Sequence, residues 1–338
     1  MGTAVNRQVW LKLRPTGIPS ASHFEIADAA EPALADRQFL VRNEYLSVEP
    51  AMRGWVSAVA NYSEPVPIGG VMRAFAAGTV VASRHPGYAE GERVMGMLGW
   101  QEYAVADGSE ITRKVVETDL PLSLSLGVLG LNGITAYFGL LDLGQPKPGD
   151  TVVVSTAAGA VGSAVGQIAK MMGCRTVGIT GGPVKTALCR DAFGYDAAID
   201  YKSADVASVL TQACPNGVNV YFDNTAGAIS DAVLARLAVG ARVVICGTAS
   251  VASWEPPPLG PRVERHVLVK RARMAGLIVF DYQHRYEEAV ARLASWVRDG
   301  RLTYREDIVD GIEHCPGAIA ELYRGENLGK RLIRLRAG

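Results

Sequence analysis

The chain has 338 residues, 49% of them hydrophobic, so it can bury a sizeable core and is long enough for two domains. With 34 basic and 34 acidic residues its formal net charge is zero; that removes the global field that would draw it to nucleic acid or an anionic membrane, and leaves a small molecule as the expected partner. Five cysteines, Cys174, Cys189, Cys214, Cys246 and Cys315, form no C-x-x-C pair and are odd in number, which fits neither a disulfide framework nor a zinc knuckle and points to a reducing cytoplasm.

The opening "MGTAVNRQVW" has no apolar signal region, and no targeting segment is expected there. From Val9 to about Val116 short β-type runs, "QFLVRNEYLSV", "AFAAGTVVAS", "GERVMGML" and "WQEYAVA", are cut by turn residues, which predicts a β-rich, barrel-like domain. The stretch "LPLSLSLGVLGLNGITAYFGLLDLG" is apolar but interrupted by Ser, Asn, Thr and Gly. It reads as a buried helix pair and not as a membrane span.

Beyond it, strands and helices alternate: "TVVVS" then "GSAVGQIAKMMG", "RTVGIT" then "VKTALCRDAFG", "AAIDY" then "ADVASVLTQACP", "VNVYFDN" then "AISDAVLARLA", and finally "ARVVICG". Continuously apolar strands in βα alternation predict a parallel, doubly wound sheet buried on both faces. After the amphipathic "RYEEAVARLASWVRDG" the tail returns to short strands around the helix "CPGAIAELYRG". Residues 1–125 and 300–338 are thus expected to form one discontinuous β-rich domain, with the nucleotide-binding domain, 126–299, inserted in it.

In a dinucleotide fold the first strand runs into G-x-G-x-x-G, and here Ala157, Gly159 and Gly162 hold those places. The first position is only Ala, but the strand before, the helix after and the second strand beyond supply the right context. Backbone N–H groups of Gly159, Ala160, Val161 and Gly162 would hold phosphate oxygens at the positive end of the helix. Gly166 reads as a helix-packing residue.

About twenty residues past the turn an NAD site places a carboxylate for the ribose hydroxyls. This chain has Gly181 and Gly182 there, and then Lys185. Omitting the carboxylate removes repulsion against a 2′-phosphate, and Lys185 can bind it, with Tyr201 adding a hydroxyl. NADPH is the cofactor this pattern predicts.

The five histidines, His23, His85, His266, His284 and His314, are dispersed, and no ligand set has catalytic or structural zinc spacing. No G-x-S-x-G elbow or Walker loop is present either. Hydride transfer remains, with hydroxyl groups and the cofactor stabilising the developing negative charge.

The blocks "NEYLSVEPAMRG", "VPIGGVMRAFAAGTVVAS", "MLGWQEYAV", "GITAYFGLLDLGQPKPGDTVVVSTAAGAVGSAVGQIAK", "YFDN", "CGTAS", "IVFDY" and "NLGK" resemble, in order and over nearly the whole chain, the zinc-free prostaglandin reductase and 2-alkenal reductase branch of the medium-chain dehydrogenase/reductases. The resemblance implies a Rossmann domain beside a GroES-like barrel domain, a homodimer, and NADPH-dependent reduction of the C=C bond of α,β-unsaturated aldehydes or ketones. Hydride would go to the β-carbon, and the enolate would be held by Tyr45 and the cofactor ribose before protonation at the α-carbon.

Carried over by position, Asn43 would place Tyr45, and Tyr62 and Ala252 would border the substrate. The cofactor would further touch Gly182, Asn224, Cys246, Gly247, Thr248, Ser250, Leu277, Ile278, Val279 and Asn327. Three departures from the family pattern bear on substrate and rate. Ala252 and Ser253 stand where a Tyr-Asn pair is usual, Asn132 replaces a proline, and Ala51 replaces a bulky residue. A zinc-free quinone reductase, or an NADPH-binding regulatory protein with little turnover, stay open as alternatives.

Overall fold

The computed structural model describes residues 5–30, 32–58, 63–251, 256 and 258–335. The chain divides into two units, Met1–Gly127 with Glu306–Gly338, and Val128–Arg305.

In the first unit β1 (Val5–Leu11) and β2 (Phe24–Ala30) form an antiparallel pair. A second sheet is built on β3 (Phe39–Ser47), which pairs with β4 (Ala76–Ser83) and β6 (Tyr103–Ala106). It extends through β5 (Arg93–Gly96) to β7 (Ile111–Lys114), and the short helix α1 (Met52–Trp55) follows β3 in the chain. Phe39, Leu46, Met72, Met95 and Trp100 are buried in this unit, and the Trp100 indole donates to the Ser47 carbonyl at 3.0 Å. That bond meets the need of a buried N–H for a partner.

In the second unit α2 (Leu131–Phe138) precedes six parallel strands: β8 (Thr151–Ser155), β9 (Arg175–Thr180), β10 (Ala197–Asp200), β11 (Val218–Asp223), β12 (Leu237–Ile245) and β13 (Arg273–Gly276). Their order is β10-β9-β8-β11-β12-β13, the doubly wound arrangement, with order reversing between β8 and β11. Every residue of β8 is buried, as the unbroken "TVVVS" requires of a central strand. The crossovers carry α3 (Ala160–Met171), α4 (Pro183–Ala187), α5 (Val206–Ala213), α6 (Gly227–Leu234) and α7 (Glu264–Lys270), and α8 (Tyr286–Arg298) closes the unit. The tail adds β14 (Glu306–Asp310), α9 (Cys315–Arg324) and β15 (Lys330–Arg334), with β15 antiparallel to β3.

Three expectations change. The apolar stretch after Asp119 is not a helix pair: it holds a 3-10 turn at Leu122–Leu126 and then α2. Gly127 and Gly130 separate the two, and the Ser125 hydroxyl bonds back to the Leu122 carbonyl. Second, the last central strand starts at Leu237, earlier than "ARVVICG" suggests. Third, the division falls after Gly127 and after Arg305, so residues 300–305 stay with the unit that holds the parallel sheet. Gln167 in α3 explains why, since its side chain bonds the Thr303 carbonyl at 2.9 Å and accepts the Thr303 N–H at 2.8 Å. Among the described residues no helix is long and apolar enough to cross a membrane.

Candidate cofactor site

The chain leaves β8 through a turn in which Thr156, not a glycine, takes the left-handed conformation, at φ +54°. That explains how Ala157 can fill the first position of the degenerate motif. Its methyl group has room because strand β9 carries Gly178 opposite, where a Cβ would come within 2.7 Å of it. The later glycines are needed for contact. A Cβ on Gly162 would lie 2.3 Å from the Thr156 carbonyl oxygen, so only glycine lets α3 start this close to the strand.

The first helical turn is uncapped by any side chain. Gly159 gives its N–H to the Thr156 carbonyl at 2.9 Å, a correction to its expected role as a phosphate donor. The N–H groups of Ala160, Val161 and Gly162 have no partner among the described residues. Three open donors at the start of a twelve-residue helix, beside the strand-order reversal, fit a pyrophosphate.

At the end of β9, Gly182 has φ +89° and open space around it, and Pro183 starts α4. Lys185 lies half-buried on that helix. The Tyr201 ring and the Lys202 side chain lie against Gly181, each 3.0 Å from where its Cβ would be. Lys202 is a cation the sequence reading passed over. A carboxylate is present after all: Asp200 accepts the Gly182 N–H at 2.7 Å and the Lys202 N–H at 3.0 Å, with the Ser203 hydroxyl on its other oxygen. These bonds, the Gly182 one foremost, hold its carboxyl below the usual range. Asp200 is bound to the loop backbone, while Tyr201 and Lys202 lie against Gly181 and Lys185 stands on the helix that follows the loop.

Across the order reversal, Asn224 ties β11 to β8: its amide donates to the Ser155 carbonyl at 2.7 Å and its N–H to the Ser155 hydroxyl at 2.8 Å. Beneath it Asp223 is buried and accepts from the Thr225 and Ala226 N–H groups, both at 2.9 Å, and from the hydroxyls of Ser155, Tyr221, Thr225 and Ser230. Such a cage pins the turn that presents Asn224.

The next loop is stitched to it. Cys246 and Gly247 give their N–H groups to the Asp223 carbonyl, and the Ser250 hydroxyl bonds the Thr225 carbonyl at 2.7 Å. Thr248 lies between them, and the Leu277 N–H bonds Ile245, leading into Ile278 and Val279 after β13. Burial first, and Asp223 second, push the Cys246 thiol up to about 12; it is a packing group and no nucleophile. All the cofactor residues expected in this unit therefore gather at the carboxyl ends of the parallel strands.

In the other unit Tyr45 is half-buried on β3, opposite Ala77 and Arg334. The Arg334 guanidinium is held above its ordinary range, first by its bonds to Asp310 and least by the Tyr45 hydroxyl. Asn43 is buried and its amide donates to the Gln101 carbonyl at 2.9 Å, not to Tyr45. No hydrogen bond joins it to Tyr45, and its Oδ1 is buried with no partner among the described residues. Asn327 is buried too, donating to Gly329 in its own loop at 2.7 Å. Tyr62 and Ala252 lie outside the described residues. Among the described residues no group of three His, Cys, Asp or Glu side chains is placed to hold a metal ion.

Two family descriptions match the chain, an N-terminal domain of oxidoreductase over residues 7–114 and a zinc-binding dehydrogenase over residues 160–295. These define the class, a two-domain dehydrogenase or reductase. The NADPH-dependent curcumin reductase of Escherichia coli (strain K12) is 41% identical, over 98% of this chain and 97% of its own. The 2-alkenal reductase (NADP(+)-dependent) of Nicotiana tabacum is 36% identical, over 97% of both chains. The crystal structure of CurA in complex with NADPH from Vibrio vulnificus superposes with a TM-score of 0.92 at 42% identity, over 98% of this chain and all of that one. The chain belongs to the zinc-free prostaglandin reductase and 2-alkenal reductase branch of the medium-chain dehydrogenase/reductases.

Proposed function

We propose that this protein is an NADPH-dependent reductase of the C=C bond of α,β-unsaturated aldehydes and ketones. The observation that carries the reading is end-to-end similarity to an enzyme named for 2-alkenals, which are by definition α,β-unsaturated aldehydes. The open N–H groups of Ala160 to Gly162 and the Lys185, Tyr201 and Lys202 cluster suit the pyrophosphate and 2′-phosphate of NADPH, which when bound supplies a hydride.

Tyr45 is the proposed donor to the enolate oxygen of the substrate. Its cross-strand neighbour Arg334 is compatible with that role: the guanidinium binds Asp310 and has no acceptor that could take the Tyr45 hydrogen. Free cysteines throughout suit a reducing cytoplasm. For the homodimer, β13 offers an edge strand in its sheet, with Leu268, Val269 and Met274 exposed around it; light scattering measures the oligomeric state.

The test follows NADPH oxidation against 2-alkenals, cyclic enones, quinones and saturated aldehydes, with product analysis. Enals and enones should give the saturated carbonyl compound. Alcohol from a saturated aldehyde, or turnover of quinones alone, would sink the reading. NADPH binding without turnover of any compound would favour a regulatory protein. Tyr45→Phe should lower kcat about a hundredfold to a thousandfold, the loss typical of one oxyanion donor, with NADPH affinity little changed. Full activity in that variant removes Tyr45 from the role.

A further inference from the structure

Tyr195, just before β10, is buried, and neither the sequence pattern nor the resemblance gives it a task. Its hydroxyl donates to the Gly162 carbonyl at 2.6 Å, and its ring and oxygen lie against Gly166, one helical turn further on. In a regular helix the Gly166 N–H bonds that same Gly162 carbonyl. The phenol therefore sits beside the rung that joins Gly166 to Gly162, and Gly162 is the last residue of the run Ala160, Val161 and Gly162 with open N–H groups.

The chain makes room for this in two places. A Cβ on Gly166 would fall 2.1 Å from the Tyr195 ring and 2.4 Å from its oxygen, and one on Gly178 would fall 3.2 Å from the other part of the ring. Gly166, which the sequence marks as a packing glycine, is thus packed against one particular side chain. Gly178 serves two neighbours at once, Tyr195 and the Ala157 methyl of the turn itself. The ring links strand β9, the turn after β8 and the start of α3.

We infer that Tyr195 is a positioning residue for the cofactor's pyrophosphate, clasping the first turn of α3 so that its open N–H groups keep their aim. The inference rests on the pyrophosphate lying at that turn. Burial keeps the phenol protonated far above neutral pH, so the hydroxyl remains a donor throughout the working range. A neutral donor also adds no charge beside an anion.

Tyr195→Phe keeps the ring in its slot between the two glycines and deletes only the oxygen. Calorimetry should find NADPH bound about fivefold more weakly, the size of one lost hydrogen bond. Adenosine 2′-monophosphate, which has the 2′-phosphate and no pyrophosphate, should bind as before. In turnover assays the KM for NADPH should rise with kcat at saturation unchanged. Equal weakening of both ligands would mean general loosening and overturn the inference, as would unchanged NADPH binding. A separate variant, Ala160→Asp, tests the underlying assignment. A carboxylate in the first turn suits the helix dipole and lets the helix form, but it repels a pyrophosphate. Unchanged NADPH affinity in Ala160→Asp shows that the turn does not hold the pyrophosphate; loss there together with intact binding in Tyr195→Phe sinks the Tyr195 role alone.

Discussion

Asp223 and Glu306 are carboxylates in packed surroundings, and the two units treat them in opposite ways. Asp223, at the carboxyl end of β11, receives two backbone N–H groups and four hydroxyls. Glu306, at the start of β14, receives the Ser123 hydroxyl at 3.0 Å, while its Oε1 is buried with no partner among the described residues. Lys330 is its cross-strand neighbour but gives its ammonium to Ser47, Val48 and Glu49. Burial therefore raises the Glu306 carboxyl, with Lys330 only partly opposing it. The cofactor unit surrounds its carboxyl group with donors beneath the Asn224 turn. The other unit holds a carboxyl that favours its proton.

The largest test of this contrast is Asp223→Ala. Its buried donors would lose their acceptor at about 1–3 kcal/mol each, so urea unfolding should show a loss of about 3 kcal/mol or more, with NADPH binding weakened as the Asn224 turn slackens. If Glu306→Ala costs as much, the contrast fails. Lys185→Ala sharpens it from the ligand side. Removing one charge-assisted bond should raise the KM for NADPH about tenfold to a hundredfold and leave NADH nearly unaffected. Equal losses for both cofactors take Lys185 out of the phosphate role.

Glu306→Gln has the smallest expected effect, under about 1 kcal/mol at neutral pH. Because the folded carboxyl titrates above its unfolded value, the native state binds the proton more tightly across the window between them. Its contribution is fully present below the ordinary glutamate range and is lost as pH rises through the raised value. Urea midpoints measured from about pH 4 to about pH 8 should therefore fall more steeply in the unmodified protein than in Glu306→Gln. Parallel curves would show that the carboxyl is ionised in the fold as it is in the unfolded chain.

The parallel sheet was legible because its signal is local and repeated: each of "TVVVS", "RTVGIT" and "VNVYFD" is a short apolar run followed by helical periodicity. The strand ends follow from that alternation, so the positions of Gly162, Lys185, Tyr201 and Asn224 near them could be read one by one. The apolar stretch at 120–144 misled because composition alone does not separate a 3-10 turn, here closed by the Ser125 hydroxyl on the Leu122 carbonyl, from a helix.

What the sequence determined by itself was the fold class, the glycine turn and the absence of a carboxylate at Gly181 and Gly182, since these rest on residue types at fixed spacing along one chain. Only the tertiary structure decided that Thr156 carries the strained bend, that Gly159 has already spent its N–H, that Asn43 serves Gln101, and that Tyr195 fills the space left by Gly166 and Gly178. The physical reason is distance along the chain. A hydrogen bond such as that from Tyr195 to Gly162, 33 residues apart, or from Ser123 to Glu306, 183 apart, leaves no mark in local pattern, and it exists only once packing has brought its two ends together.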